Sequence, residues 1–233
     1  MSMARLRWIQ VRLLVGPAAR TIRWLPVPAC GALGFLIVYA GLHEKGQIGS
    51  AHLPFAAVAL CLSAAFVLDD AAAEIVGGKP TPLLLRRGVR IVVQLPALLA
   101  LWGAILAYAG FEQIAGAMWV EFTGMLALTL ALAAIGSRFI GGERAGMFAS
   151  PALLVVLVAS GFVSTRWRPF PLDPISSGWF DLYGRWTIAL VASLVVFLIA
   201  GRDPARANPL RRMAFGVLRH RVVATPAAPQ TVR

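Results

Sequence analysis

The chain has 233 residues, of which 59% are hydrophobic, and its mean hydropathy is +0.76. Soluble domains contain about 45–50% apolar residues, so this excess, arranged in long blocks, predicts helices that lie in a bilayer. We therefore expect no separate soluble catalytic domain. The formal net charge of +12 comes mainly from arginines beside the apolar blocks, which favours contact with lipid headgroups over nucleic-acid binding.

The first segment of the chain, residues 1–23, mixes arginines with apolar side chains. This pattern predicts a basic helix that lies on the inner membrane surface, and a disordered basic arm is the alternative. Residues 24–201 then form the predicted transmembrane domain. Residues 202–233 form a basic tail whose last part lacks any periodicity and is expected to be disordered.

Six apolar spans follow the arm, and the sequence therefore predicts an all-α membrane protein with six transmembrane helices. Pro96 predicts a kink in the third span. Thr81-Pro82 and Ser150-Pro151 each combine a capping hydroxyl with a proline, which predicts that helices begin there. The spans cover residues 25–42, 53–68, 91–109, 122–135, 151–164 and 186–200.

The arginines of the loops alternate between the two sides of these spans. The N-terminal arm, the second and fourth connections and the tail contain most of the basic residues. The first and third connections contain almost none, and the arginines of the fifth are balanced by two aspartates. Because cytoplasmic loops carry an excess of Lys and Arg, both termini are predicted to be cytoplasmic. The predicted location is a bacterial plasma membrane, which the chain crosses several times.

The connection between the second and third spans carries a compact set of helix signals. Asp70 is a good N-cap, residues 71–76 have high helix propensity, and Gly77-Gly78 ends the helix. Such a short helix could be gripped by a soluble partner, which would then move the neighbouring spans. It could equally be a loop that only satisfies backbone groups at the membrane edge.

A resemblance to a known family favours the first interpretation. The pattern Leu-Asp-Asp-x-Ala-Ala at 68–73, followed by Pro-Thr-Pro at 80–82 and an arginine-rich helix start, resembles the second cytoplasmic-loop region of actinobacterial ABC exporter permeases. These belong to the type-2 exporter class, or type V fold. The family pattern has proline after the paired acids, where this chain has Ala71. The six-span layout with a basic helix before it also resembles this class.

The resemblance implies that the short helix between spans two and three is a coupling helix, which docks on a separate ABC ATPase subunit. ATP and Mg²⁺ would bind to that subunit, and this chain would hold no cofactor. A second permease, identical or related, would complete the transport unit. The residues that the resemblance implies for the coupling contact are Asp69, Asp70, Glu74, Arg86 and Arg87.

The segment between spans five and six is rich in aromatic residues and prolines. Trp and Tyr favour the membrane interface, and closely spaced prolines prevent one continuous helix. We expect a short re-entrant or interfacial hairpin, and the alternative is an aromatic belt that anchors a long loop. The candidate residues of an external gate are Trp167, Phe170, Trp179 and Phe180.

Three polar residues inside the spans are candidates for a transport pathway, namely Gln94, Glu121 and Thr129. An acid within a span is a functional hypothesis by default, but Glu121 is expected near the outer surface, where it would stay hydrated. Gln94 and Thr129 could instead bond to neighbouring helices. No nucleotide-binding, hydrolase or metalloprotease motif occurs, so no catalytic residue and no metal site are predicted.

These observations favour the permease subunit of an ABC exporter for a hydrophobic or amphiphilic compound, which is not an enzyme by itself. A membrane enzyme or a scaffold subunit of another complex would require clusters of polar residues in the spans. A secondary transporter usually has internal repeats, broken helices and buried charges at mid-membrane. The sequence shows neither such polar clusters nor these features of secondary transporters. The membrane enzyme, the scaffold subunit and the secondary transporter are therefore kept only as alternatives to the permease subunit.

Overall fold

The structure, a computed structural model, describes residues 3–43, 52–69, 83–110, 115–140, 144–162 and 179–201. Within these ranges the protein is all-helical and contains no strand, as the sequence predicts. The third helix continues into a 3-10 turn, Ala65–Leu68. The seven α-helices are α1 Met3–Thr21, α2 Pro26–His43, α3 Leu53–Ala64, α4 Leu83–Ala109, α5 Ala115–Phe139, α6 Ala145–Gly161 and α7 Trp179–Gly201.

Four helices of the described ranges are long and apolar enough to cross a membrane. They are α2, α4, α5 and residues Tyr183–Gly201 of α7. Two further apolar helices, Leu53–Leu68 and Ala145–Ala159, are shorter. A helix satisfies its backbone groups internally, which is why such apolar blocks form helices in a bilayer. Each of the six predicted spans therefore corresponds to an apolar helix, and four of the helices reach the spanning length.

Helix α5 lies at the centre of the bundle, where it contacts α3, α6 and α7. The indole ring of Trp102 on α4 stacks on Phe122 of α5, with ring centroids 5.0 Å apart. Gly124 lets α5 approach α7 closely, since a Cβ at this position would lie 2.8 Å from the Trp186 ring. Small residues at helix contacts allow this kind of close packing in membrane proteins.

The predicted helix start at Ser150-Pro151 is wrong. Helix α6 begins at Ala145 and continues through Pro151. The Ser150 hydroxyl does not cap the helix but donates a hydrogen bond to the Gly146 carbonyl, over 2.9 Å. The first turn of α6 obtains its cap from a distant segment, because the Gly146 N–H donates to the Asp69 carboxylate. A local dipeptide pattern cannot reveal such a cap.

The other helix signals have different outcomes. Residues 3–21 form helix α1, as the amphipathic interpretation predicts. Helix α4 begins at Leu83, directly after the Thr81-Pro82 signal, and it continues through Pro96. The proposed coupling helix at 71–76 and the tail 202–233 lie outside the described residues.

Candidate functional sites at the basic end and in the interior

One end of the bundle collects the starts and ends of most helices, and we call it the basic end. Here the 3-10 turn ends at Asp69, α4 and α6 begin, and α5 and α7 end. Hydrogen bonds between these segments place them at the same level. The exposed arginines Arg20 and Arg23 follow at the junction of α1 and α2.

Asp69 connects four separate segments at the basic end, and its side chain is buried. Its Oδ1 accepts a hydrogen bond from the Gly146 N–H over 2.7 Å, and its Oδ2 lies 3.7 Å from Arg23 Nη1. The Arg90 guanidinium donates through Nη1 to the Asp69 carbonyl and through Nη2 to Thr21 Oγ1, the latter over 3.0 Å. Asp69 therefore fastens α6, α4 and the α1–α2 junction to the end of the 3-10 turn.

The environment of Asp69 acts on its ionisation in two directions. Burial raises the pKa of this carboxyl, because removing a charge from water disfavours the ionised form. The Gly146 N–H and the positive charges of Arg23 and Arg90 act to lower the pKa. Burial is the largest of these effects, so the pKa of Asp69 lies above its ordinary value.

A second group of contacts at the basic end holds the last turn of α7. Arg138 donates through Nε to the Ala200 carbonyl over 2.7 Å and through Nη2 to the Ile199 carbonyl over 2.8 Å. Arg87 donates to the Ala200 carbonyl over 3.4 Å and to Ser137 Oγ. Carbonyl groups at a helix end lack partners within the helix and carry partial negative charge. The two arginines therefore cap α7 from α4 and α5.

The predicted coupling residues separate into different environments. Asp69 and Arg87 are only 4% and 7% exposed, and both hold helices together. Arg86 is half-buried on α4. Asp70 and Glu74 lie outside the described residues. Asp69 and Arg87 are thus positioning residues in this conformation, and their side chains do not form an exposed docking surface.

Sequence reasoning missed the residues that bond to Asp69. Gly146 is separated from it by 77 positions, and no local pattern relates the two. Arg90 is not among the predicted site residues. Its location in the first third of an apolar helix was an available signal, because a buried arginine requires a partner.

The three predicted pathway residues are all buried inside the bundle. Gln94 is 1% exposed, Glu121 is 2% exposed and Thr129 is fully buried. The expectation that Glu121 lies near the hydrated surface is wrong, because the rotation of the central helix α5 turns this residue towards its neighbours. Thr129 Oγ1 donates to the Met125 carbonyl over 2.8 Å. In contrast, neither oxygen of Glu121 and neither amide atom of Gln94 has a hydrogen-bond partner.

The three residues occupy different places in the bundle. Glu121 and Thr129 lie eight positions apart on α5, about 12 Å along its axis, and Cys61 of α3 lies beside Thr129. Gln94 of α4 instead lines a cavity of about 10 Å³ between the end of α3, α4 and α5. The interior therefore contains two polar points, one at Glu121 and one at Gln94.

The predicted external gate is described only in part. Trp179 and Phe180 form the first turn of α7. Trp167 and Phe170 lie outside the described residues, as does the segment 163–178 for which a hairpin was predicted. The gate therefore stays a prediction.

The comparisons add no relative to this picture. Among the residues that the structure describes, no group of three His, Cys, Asp or Glu side chains could hold a metal ion. Comparison with known protein families, with curated proteins and with solved structures finds no match to this chain. The class that the fold supports is an all-helical protein with four helices suited to a membrane.

Proposed function

We propose that this chain is the membrane-spanning permease subunit of an ABC transporter in a bacterial plasma membrane. It would cross the membrane six times with both termini in the cytoplasm, and a separate ATPase subunit would drive export of a hydrophobic or amphiphilic compound. ATP and Mg²⁺ would bind to that partner. A second permease copy, or a related permease, would complete the pathway.

The observation that carries this proposal is the set of contacts around Asp69. This residue begins the proposed coupling segment and is bonded to α6 through Gly146 and to α4 through Arg90. A force applied to the segment after Asp69 would therefore act on several helices at once. In this role Asp69 transmits motion, while Asp70 and Glu74 are the proposed contacts with the ATPase.

The test is to purify the tagged full chain from its native membranes in a mild detergent. We expect an ATP-hydrolysing subunit to accompany it, and the double variant Asp70→Ala, Glu74→Ala should retain about tenfold less of this subunit, because charged contacts at interfaces are costly to lose. Glu112→Ala is the matched control. Glu112 belongs to the third connection, which is predicted to lie on the outer side of the membrane, away from the ATPase. Equal recovery of the subunit with both variants, or no ATPase with any of them, would reject the proposal.

A second candidate function is supported by Glu121. A buried carboxyl without a hydrogen-bond partner in an apolar helix is typical of proteins that move protons or cations. The chain would then be a secondary transporter that works without an ATPase. The purified chain in liposomes, loaded with a pH-sensitive dye, should show proton movement when candidate amphiphiles are added. Glu121→Gln should abolish this movement, and Ser193→Ala, which alters a buried polar residue of α7, should preserve it.

A further inference from the structure

The side chain of Gln94 presents an unsatisfied amide in the middle of α4. It is 1% exposed, and both Oε1 and Nε2 lack a hydrogen-bond partner. An amide that is buried without partners lowers the stability of the fold, and native proteins leave few polar groups in this state. We therefore expect a bound molecule to supply the missing partner.

The cavity beside Gln94 sets the size of that molecule. Its volume of about 10 Å³ is close to the smallest space, roughly 10–15 Å³, that can hold one water molecule. A single oxygen-sized group fits this space, and a larger polar headgroup does not.

The walls of the cavity set the charge of the group. Apart from Gln94, every lining residue has an apolar side chain, so a charged group would be buried without an opposite charge. A neutral hydroxyl can both accept from Nε2 and donate to Oε1, and either bond satisfies one of the amide atoms. The lining residues other than Gln94 are Ala64, Val67, Ile91, Leu95, Leu98, Leu126 and Leu130.

The cavity also has a side that opens towards the surface of the bundle between apolar side chains. Ile91, Leu95 and Leu130 are partly exposed, whereas Ala64, Leu98 and Leu126 are buried. The opening therefore lies beside α4 and α5, which are both candidate membrane spans. A hydrophobic chain could occupy this opening while its hydroxyl end reaches Gln94.

We propose that this cavity is a binding site for one neutral hydroxyl group, which Gln94 recognises through its amide. The hydroxyl belongs either to a water molecule or to the end of an apolar molecule that enters between Ile91, Leu95 and Leu130. The site does not depend on whether an ATPase drives the chain.

The test is an experimental structure of the full chain, crystallised in a lipid mesophase and resolved well enough to show ordered water. An isolated peak within hydrogen-bond distance of the Gln94 amide identifies water. Continuous density from the amide past Leu95 identifies an amphiphile. Mass spectrometry of the protein before the mesophase lipid is added separates a native amphiphile from an adventitious additive only. The peak should be lost in Gln94→Met, which keeps the side-chain volume, and retained in Thr129→Val, whose hydroxyl does not line the cavity. An empty cavity in the wild-type protein would overturn the proposal.

The wild-type crystals alone decide the case in which Gln94→Met fails to fold. A peak within hydrogen-bond distance of Gln94 Oε1 or Nε2 supports the site, and maps from independent crystals that show no peak there contradict the proposal independently of any variant.

Discussion

Buried polar residues have hydrogen-bond partners at the basic end of the bundle, whereas two of those in its interior have none. At the basic end, Asp69, Arg87 and Arg90 are buried, and each bonds to a segment that is distant in the sequence. In the interior, Gln94 and Glu121 are equally buried but have no hydrogen-bond partner. Burial alone is therefore common to both regions, and the presence of partners is what separates them.

This difference distinguishes the residues that stabilise the fold from those that are available for function. A paired buried group stabilises one arrangement of helices, and its removal leaves its partner unsatisfied. A buried polar group without a hydrogen-bond partner lowers the stability of the free protein. Such a group points to a function in which a bound ligand, a bound proton or a second conformation supplies the partner. Substitutions in the two regions should thus change stability with opposite signs.

The largest loss is expected from Arg90→Ala at the basic end. This change removes the bonds to the Asp69 carbonyl and to Thr21 and leaves Asp69 with less compensating charge. The free energy of unfolding should fall by about 2–4 kcal/mol, measured by SDS titration in mixed micelles. Arg20→Ala, at an exposed position of α1, should stay within about 0.5 kcal/mol. Equal losses of unfolding free energy in Arg90→Ala and Arg20→Ala would show that the bonds of Arg90 do not stabilise the basic end.

Gly146→Ala tests the close approach of α6 to the 3-10 turn. A Cβ at Gly146 would lie 2.5 Å from Phe66 Cδ1 and 3.0 Å from Phe66 Cα, so the backbone must shift and the bond to Asp69 must weaken. We expect a loss of about 1–3 kcal/mol in the same titration. The matched control is Gly88→Ala on α4, where nothing lies within 4 Å. There a gain of up to about 1 kcal/mol is expected, because alanine favours the helix.

The pH dependence of stability should report on Asp69. Burial raises the pKa of this carboxyl in the folded state, so the folded protein binds more protons than the unfolded chain between the unfolded and the folded pKa. Stability should therefore rise as the pH falls through the folded pKa towards the ordinary value. Asp69→Asn should remove this part of the profile while keeping an acceptor for Gly146. An unchanged profile in the variant would assign the effect to another group.

The smallest expected effect, and the one with the opposite sign, comes from Glu121→Leu. Replacing an unpaired buried carboxyl by an apolar side chain should raise the free energy of unfolding by about 1 kcal/mol. Thr129→Val serves as the control, because its hydroxyl already bonds to Met125 and its loss should lower stability slightly. If Glu121→Leu instead destabilised the protein strongly, Glu121 would belong with the structural residues of the basic end.

The sequence predicted the helices better than it predicted their contacts. The apolar blocks identified the six apolar helices that the described ranges contain, because an apolar run of this length has few alternatives in a bilayer. Ser150-Pro151 misled the prediction for α6, since the true cap at Gly146 comes from Asp69. The sequence identified Gln94, Glu121 and Thr129 as polar residues within apolar spans. It did not predict that the side chain of Glu121 is buried.

The sequence by itself determined the class of the protein. Its apolar periods required helices, and arginines from three of its basic segments, Arg23, Arg90 and Arg138, bond at one end of the bundle. The tertiary structure alone decided which polar groups are paired, because the rotation and approach of each helix depend on residues far away in the chain. For this reason Asp69 and Glu121, both acids at the margin of an apolar block, have opposite surroundings: one lies among arginines, and the other has no hydrogen-bond partner.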